Sequence, residues 1–368
     1  MALLREHSIS LSLSLPKGDV HAGMDVFYNP VMASNRNISI LLLNSLPQQN
    51  LKIADPLAGS GVRTLRFFKE LKKNKLKQIC VNDFKDPFPQ TFQEEATRNK
   101  IAVFKLIKKE QLKISREEAS LFLLHETGFD YIDIDPFGSP NPFLAAAVAR
   151  ISRDGILAVT ATDTAALTGT YPHVTRRKYW SESLHNYLMH ETGLRILIRR
   201  VQLQGTQFDK ALIPILSYHQ EHYFRIYFKV VKGKEKCDEI LKLQQYFLFC
   251  PSCLKYKPSV YNHEVCLCGQ KFTFAGPLWI GPLFDQKLIA VMAKNNPFPE
   301  EQQFLNLLNE EASLPIVGFY DLHQIARKLK TDVPRMELVL QKIKGVRTHF
   351  SGTGIKTMVS LDEIKRLF

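Results

Sequence analysis

The chain has 368 residues, 45% hydrophobic and 23% charged, which is ordinary for a soluble globular protein of two or three domains. Its 49 Lys and Arg against 36 Asp and Glu give a formal charge of +13 and a pI near 9.3, pointing to a polyanionic partner, with generic basicity as the competing explanation. No apolar run reaches membrane-spanning length, which excludes a helical membrane protein.

Residues 8–15 alternate Ser with apolar side chains. That is the pattern of a half-buried strand and not the apolar core of a signal peptide, so an intracellular, cytoplasmic protein is expected. Phe27 and Tyr28 follow, which on the residues alone read as core aromatics. Asn35 reads as the cap of a helix carrying the apolar run 38–46, ended by Pro47. Arg36 near that helix start opposes the macrodipole, a conflict that a ligand carboxylate would resolve.

A short apolar strand then ends in Asp55, a loop carries Gly59 and Gly61, and an amphipathic helix starts at about Val62. A second strand, 79–83, ends in Asp83. Strand, glycine loop, helix, strand and acid form a nucleoside-binding unit with the acid placed for ribose hydroxyls. Thr64 stands where a dinucleotide fingerprint has its third Gly, which disfavours a pyrophosphate and suits S-adenosyl-L-methionine. The lysine-rich run 69–77 reads as a solvated face closing the helix. A helix over 90–101, a strand over 112–114, Glu118-Ala119 and a helix over 120–125 repeat the β-α rhythm.

The fourth strand, 131–134, runs into Asp135-Pro136-Phe137-Gly138, where Pro136 forbids further ladder pairing and Gly138 with Pro140 marks a tight loop. The loop gathers a carboxylate, carbonyls freed from any ladder and an aromatic ring. These groups can accept protons from an amine on a flat heterocycle and stack on its face. Taken alone, the acids could equally cap the next helix. A helix over 143–151 and a fifth strand, 156–161, after the turn Asp154-Gly155 complete a doubly wound α/β sheet.

Beyond the sheet, Arg176, Arg177 and Lys178 adjoin Tyr179 and Trp180, as in a backbone-and-base contact patch or the start of a surface helix. A helix over 183–202 leads to strands 211–218 and 223–231, read as the antiparallel closing hairpin of a methyltransferase sheet. The linker 232–236 sets the domain boundary, giving 1–233 as a methyltransferase domain and 234–368 as a smaller α+β C-terminal domain. In the latter, Cys250, Cys253, Cys266 and Cys268 form two close pairs twelve residues apart. That spacing fits one structural zinc ion, with His263 as a possible substitute ligand and four free thiols as the alternative. Helices over 321–330 and 333–344 with a basic hairpin over 347–357 read as a winged or helix-turn-helix-like unit.

Several stretches together resemble the tRNA guanine-26 N2-dimethyltransferases, class I S-adenosylmethionine-dependent RNA methyltransferases. They are Phe27-Tyr28-Asn29-Pro30, Asn35-Arg36, the loop 133–140, the run 190–196, Tyr223-Phe224-Arg225, Gly276-Pro277-Leu278-Trp279 and Arg347-Thr348-His349-Phe350. The resemblance spans nearly the whole chain. It implies that Arg36, Arg63, Asp83, Glu118 and Ala119 line the S-adenosyl-L-methionine site with the glycine loop. It further implies that Asp135 is the catalytic carboxylate, that Phe27 and Phe137 hold the guanine, and that the C-terminal domain binds tRNA, with no obligate protein partner. Glu118 stands where the family usually has Asp, Trp180 where Gly is common, and His173 where Cys is common. The rival readings are an amino-methyltransferase acting on another RNA base and a catalytically idle, cofactor-dependent RNA-binding module. A dinucleotide oxidoreductase is disfavoured by the absent third Gly.

Overall fold

Strands rich in Ile, Val and Ala, each followed by a helix, build the centre of the molecule. The computed structural model describes residues 2–13 and 28–368. A hairpin of β1 (Ala2–Glu6) and β2 (Ile9–Leu13) opens the chain, with Ile9 and Leu11 buried. Positions 14 and 15 of the expected strand lie outside the described residues, as does Phe27.

Helix α1 (Ala33–Ser45) starts earlier than the sequence implied. Asn29 caps a 3-10 turn, Pro30–Met32, by accepting from Val31 N at 3.0 Å, and this turn runs straight into the helix. Pro30 presets the helical φ at the first position, so nucleation precedes Asn35. Asn35 is therefore not a cap; it lies inside the helix and is fully buried.

The β-α rhythm then runs β3 (Leu51–Asp55), α2 (Val62–Glu70), β4 (Leu76–Asn82), α3 (Phe88–Arg98), α4 (Val103–Lys108), β5 (Leu112–Ser115), α5 (Ala119–His125), β6 (Phe129–Ile134), α6 (Leu144–Arg150) and β7 (Ile151–Ala161). After α7 (Thr164–Leu167), α8 (Pro172–Tyr179) and α9 (Met189–Thr206) come β8 (Lys210–Gln220) and β9 (Tyr223–Lys232). The seven strands order as β5-β4-β3-β6-β7-β9-β8. Strands β3 to β7 pair in parallel, and the β8-β9 hairpin completes a mixed sheet of the class I methyltransferase type. In its middle, Ile53, Ala54, Tyr131, Ile132, Ile134 and Leu157 have no exposure. Such near-continuous apolar runs are what a parallel sheet covered on both faces requires.

Three expectations change. Asp154 takes a left-handed φ of 60° and Gly155 continues the strand, so β7 starts at Ile151 with an irregular register against β6 rather than after a turn. Helix α9 starts at Met189 and not near 183, because Glu182 exchanges backbone hydrogen bonds of 2.9 and 2.8 Å with Gly276, which keeps that segment extended. The lysine run is not all solvated: Lys75 is buried, and its Nζ donates to the carbonyls of Leu46 and of Gln48.

The later chain contains α10 (Lys234–Lys242), then β10 (Gln244–Phe249), β11 (Tyr256–Ser259) and β12 (Thr273–Trp279), ordered β11-β10-β12. Helices α11 (Gln286–Lys294) and α12 (Gln302–Ala312) follow, then β13 (Tyr320–Asp321), α13 (Leu322–Leu329), α14 (Met336–Ile343), β14 (Val346–Thr348), β15 (Ser351–Lys356) and α15 (Leu361–Lys365). Strands β13-β15-β14 form a second small sheet beside the α13–α14 pair in sequence. By internal contacts the chain divides into two compact units. One comprises 1–160, 227–232 and 295–301; the other comprises 161–226, 233–294 and 302–368.

Candidate active site

Strands β3, β4, β5 and β6 run parallel and end at Asp55, Asn82, Ser115 and Ile134, so the loops that follow them meet along one sheet edge. Open α/β sheets bind ligands at this edge. After β3, Gly59 (φ 57°) and Gly61 (φ 73°) take left-handed conformations, and Gly61 N closes the turn onto Ala58 O at 2.8 Å. A Cβ on Gly61 would come within 2.4 Å of the Phe92 ring, so both the backbone angle and the packing call for glycine there. Gly59 N donates to Asp83 Oδ2 at 2.8 Å, and Lys85 N donates to Asp83 Oδ1 at 3.0 Å. Asp83 is thus fixed against the glycine loop, with lone pairs remaining for a diol. Asn82, which the sequence reading passed over, ties the neighbouring loops: its amide donates to Pro56 O and Glu117 O and accepts from Glu117 N. Its only signal in sequence is an amide at a strand end. Glu118 caps α5, accepting from Ser120 N and Leu121 N at 2.9 and 3.0 Å, and Ala119 beside it is buried.

Asp135 is half-buried at the end of β6, Pro136 after it is buried, and the Phe137 ring is 47% exposed. Arg63, projecting from the first turn of α2, organises this loop. Its Nη2 donates to Asp135 Oδ2 and to Asn35 Oδ1, while Nη1 donates to Ser39 Oγ and lies 3.1 Å from Asp133 Oδ2. Asp133 is buried and also accepts from Tyr131 OH at 2.6 Å. Asp55 completes the group, accepting from Thr64 Oγ1 at 2.7 Å. Burial pushes its carboxyl up; Arg63 offsets part of this, and the neighbouring carboxylates Asp133 and Asp135 push it further, to about 7. One guanidinium therefore serves a cluster of three acids, and Asp55 among them resists ionisation.

Arg36 meets its carboxylate within the chain. Glu6 accepts from Arg36 Nε at 2.8 Å and Nη2 at 2.6 Å, from Arg66 Nη1 at 2.9 Å, and from Tyr28 OH at 2.7 Å. Burial alone would raise the Glu6 carboxyl, but hydrogen bonding and charge from Arg36, with Tyr28 and Arg66 adding, hold it down to about 2. Nothing in the alternating hairpin marked Glu6 as a partner of residues 30 and 60 positions away.

In the other unit the four cysteines come together on two turns. Leu254 N closes onto Cys250 O at 2.9 Å, and Gly269 N closes onto Cys266 O at 2.8 Å. Their four Sγ atoms lie within 4.8 Å of one another, with Cys250–Cys268 at 3.4 Å and Cys253–Cys266 at 3.5 Å. Tetrahedral thiolates about 2.3 Å from a zinc ion stand roughly 3.8 Å apart, so the donor set fits that metal. His263 is outside the group, its Nδ1 facing Asn262 Oδ1 at 3.3 Å.

Comparison with known proteins agrees with this geometry. The model of the N2,N2-dimethylguanosine tRNA methyltransferase family matches residues 7–368. The chain belongs to that family. A tRNA (guanine(26)-N(2)/guanine(27)-N(2))-dimethyltransferase of Aquifex aeolicus is 37% identical over 367 residues, spanning 96% of this chain and 91% of the relative. The tRNA (guanine(26)-N(2))-dimethyltransferase of Methanobrevibacter smithii is 36% identical over 376 residues, 96% of this chain and 94% of its own. Among solved structures, Trm1 from Pyrococcus horikoshii in complex with S-adenosyl-L-methionine matches with a TM-score of 0.84 at 29% identity, covering 100% of this chain and 99% of that one. Family membership therefore extends over both compact units, and no helix among the described residues is long and apolar enough to cross a membrane.

Proposed function

We propose that the chain methylates the exocyclic N2 amine of guanine 26 in tRNA, first to the monomethyl and then to the dimethyl product, using S-adenosyl-L-methionine. The observation that carries this reading is the half-buried Asp135, tethered by Arg63, two residues before the exposed ring of Phe137. The family relatives described above are named for this reaction.

The cofactor supplies a methyl on a sulfonium and leaves as a neutral thioether. Toward it, Asp83 offers its carboxylate to the ribose hydroxyls, and the Gly59–Gly61 turn lets backbone approach closely. Arg36 keeps Nη1 without a hydrogen-bond partner among the described residues, available to the amino-acid carboxylate. Glu118 and Ala119 line the adenine side. Toward the base, Asp135 accepts a hydrogen bond from the N2 amine, localises its lone pair and takes the proton released as the N–C bond forms. The Pro136 carbonyl holds the second N–H, and Phe137 stacks on the ring, with Phe27 assigned to holding the base by resemblance. Stacking rewards removal of the base from its helix, on the order of 1–3 kcal/mol per base. Since two rings and two acceptors fix the amine in line with the methyl, orientation supplies much of the acceleration.

Residues 234–368 are assigned to holding tRNA through phosphate contacts, with one structural zinc ion on the four cysteines, and 1–233 to the chemistry. The test is transfer of labelled methyl groups from the cofactor to unmodified tRNA, followed by mapping of the modified nucleotide. Label on N2 of guanine 26 is expected. Binding of both ligands without transfer would leave an idle RNA-binding module, and label on another base would reassign the substrate.

A further inference from the structure

The second compact unit carries a pocket of about 440 Å³ lined by Arg176, Trp180, Glu182, Tyr246, Asn262 and Phe274, among others. None of these residues belongs to the Asp135 loop. Trp180 is its prominent feature. It terminates α8 in the left-handed conformation, φ 53° and ψ 45°, which costs energy for any residue with a Cβ and is exceptional for a bulky one. Glycine is the ordinary occupant of such a helix end. Yet the indole is not used to fill a core: it remains 54% exposed.

Two arginines of α9 hold it there. Arg199 Nη1 donates to the Trp180 carbonyl at 3.1 Å, and the Arg200 guanidinium lies 4.5 Å from the ring centroid. Arg200 is more than nine-tenths buried, and its Nε and Nη1 have no hydrogen-bond partner among the described residues. A strained, braced and still exposed aromatic ring is a platform, since packing gives no reason to maintain it. Around it, Glu182 and Asn262 present hydrogen-bonding groups, and Tyr246 with Phe274 forms an edge-to-face wall at 5.6 Å. The last turn of α8 adds Arg176, Arg177 and Lys178; Arg176 pairs with Glu182 and Lys178 with Asp163, while Arg177 has no acidic partner among the described residues.

We propose that this pocket takes a second, unstacked base of the tRNA, not the one methylated, stacked on Trp180 with its backbone phosphate beside Arg177. The proposal rests on the tRNA reading above. An exposed ring with adjacent cations is the usual platform for single-stranded nucleic acid, and the charge of +13 favours a polyanion over an acid-bearing or neutral partner. A carboxylate and an amide at the pocket wall suit the N–H edges of a base.

The test uses the full chain and an unmodified tRNA transcript. Trp180→Gly removes the ring while relieving the left-handed strain, and Trp180→Phe keeps a smaller ring; thermal melting of each verifies folding. Trp180→Gly should weaken tRNA binding about tenfold, and Trp180→Phe by less. The chain has two tryptophans, and Trp279 is buried, so tRNA should quench the wild-type fluorescence, with most of that quenching lost in Trp180→Phe. Wild-type affinity in folded Trp180→Gly, or quenching that persists in Trp180→Phe, would overturn the pocket while leaving tRNA as the substrate. No tRNA binding by the wild-type chain would instead overturn the functional reading itself.

Discussion

Arg63 and Asp135 are bound directly, Nη2 to Oδ2, and the same guanidinium reaches Asp133 at 3.1 Å through Nη1. The catalytic candidate is therefore not a free carboxylate. One of its oxygens is oriented by a cation; in the proposed reaction the other meets the substrate amine, and the buried Asp133, through Arg63, would position it.

Asp135→Asn keeps the shape and an acceptor oxygen but loses the charge and the base. Turnover should drop by roughly 10²–10⁴-fold, with cofactor and tRNA affinities little changed. Steady-state methyl transfer with separate binding titrations measures both. If folded Asp135→Asn retained near-normal turnover and folded Asp133→Asn were inactive, the roles would be reversed.

Asp83 is held by Gly59 N and Lys85 N, so its loss should loosen the glycine turn and remove the ribose acceptor together. Asp83→Ala is expected to weaken S-adenosyl-L-methionine binding by tenfold or more in calorimetry, at roughly 1.4 kcal/mol per tenfold change, while tRNA binding persists. Unchanged cofactor affinity would move the site away from this edge.

Glu6 sits between Arg36 and Arg66 with its pKa held down to about 2, below the ordinary value of 4.5. A depressed folded pKa means that the contribution is complete above pH 4.5 and is lost as pH falls through 2. By linkage it is worth about 3 kcal/mol at neutral pH. Glu6→Gln should lower the melting temperature at pH 7 and flatten the acid side of the stability profile. Equal melting of the two proteins at pH 7 would show the network to be energetically neutral.

The cysteine cluster gives a metal prediction. Purified protein should contain about one zinc ion per chain, and Cys253→Ser or a strong chelator should remove it and lower thermal stability. Elemental analysis and melting curves read this out. Stable, metal-free, fully active protein would leave four thiols without a structural role.

The local features were legible in the sequence because they are written in spacing along the chain. Strand periodicity, acids at or just after the strand ends, the Gly59–Gly61 turn, the Pro136 break and the paired cysteines each depend on residues a few positions apart. What the sequence could not show depends on partners far apart. Arg63 reads as one cation in an amphipathic helix until folding brings it to Asp135, 72 positions later. Arg36 reads as a charge in conflict with its helix until Glu6 is placed against it. Asn35 looks like a cap because Asn often is one, but Pro30 nucleates the helix first and burial turns Asn35 toward Arg63. Lys75 looks solvated within a lysine run, yet two carbonyls near the end of α1 and beyond it take its ammonium. The sequence determined which groups the sheet edge would carry, because periodicity and turn chemistry are local. The tertiary structure alone decided which charge neutralises which, because that depends on distances that only the assembled sheet and its helices create.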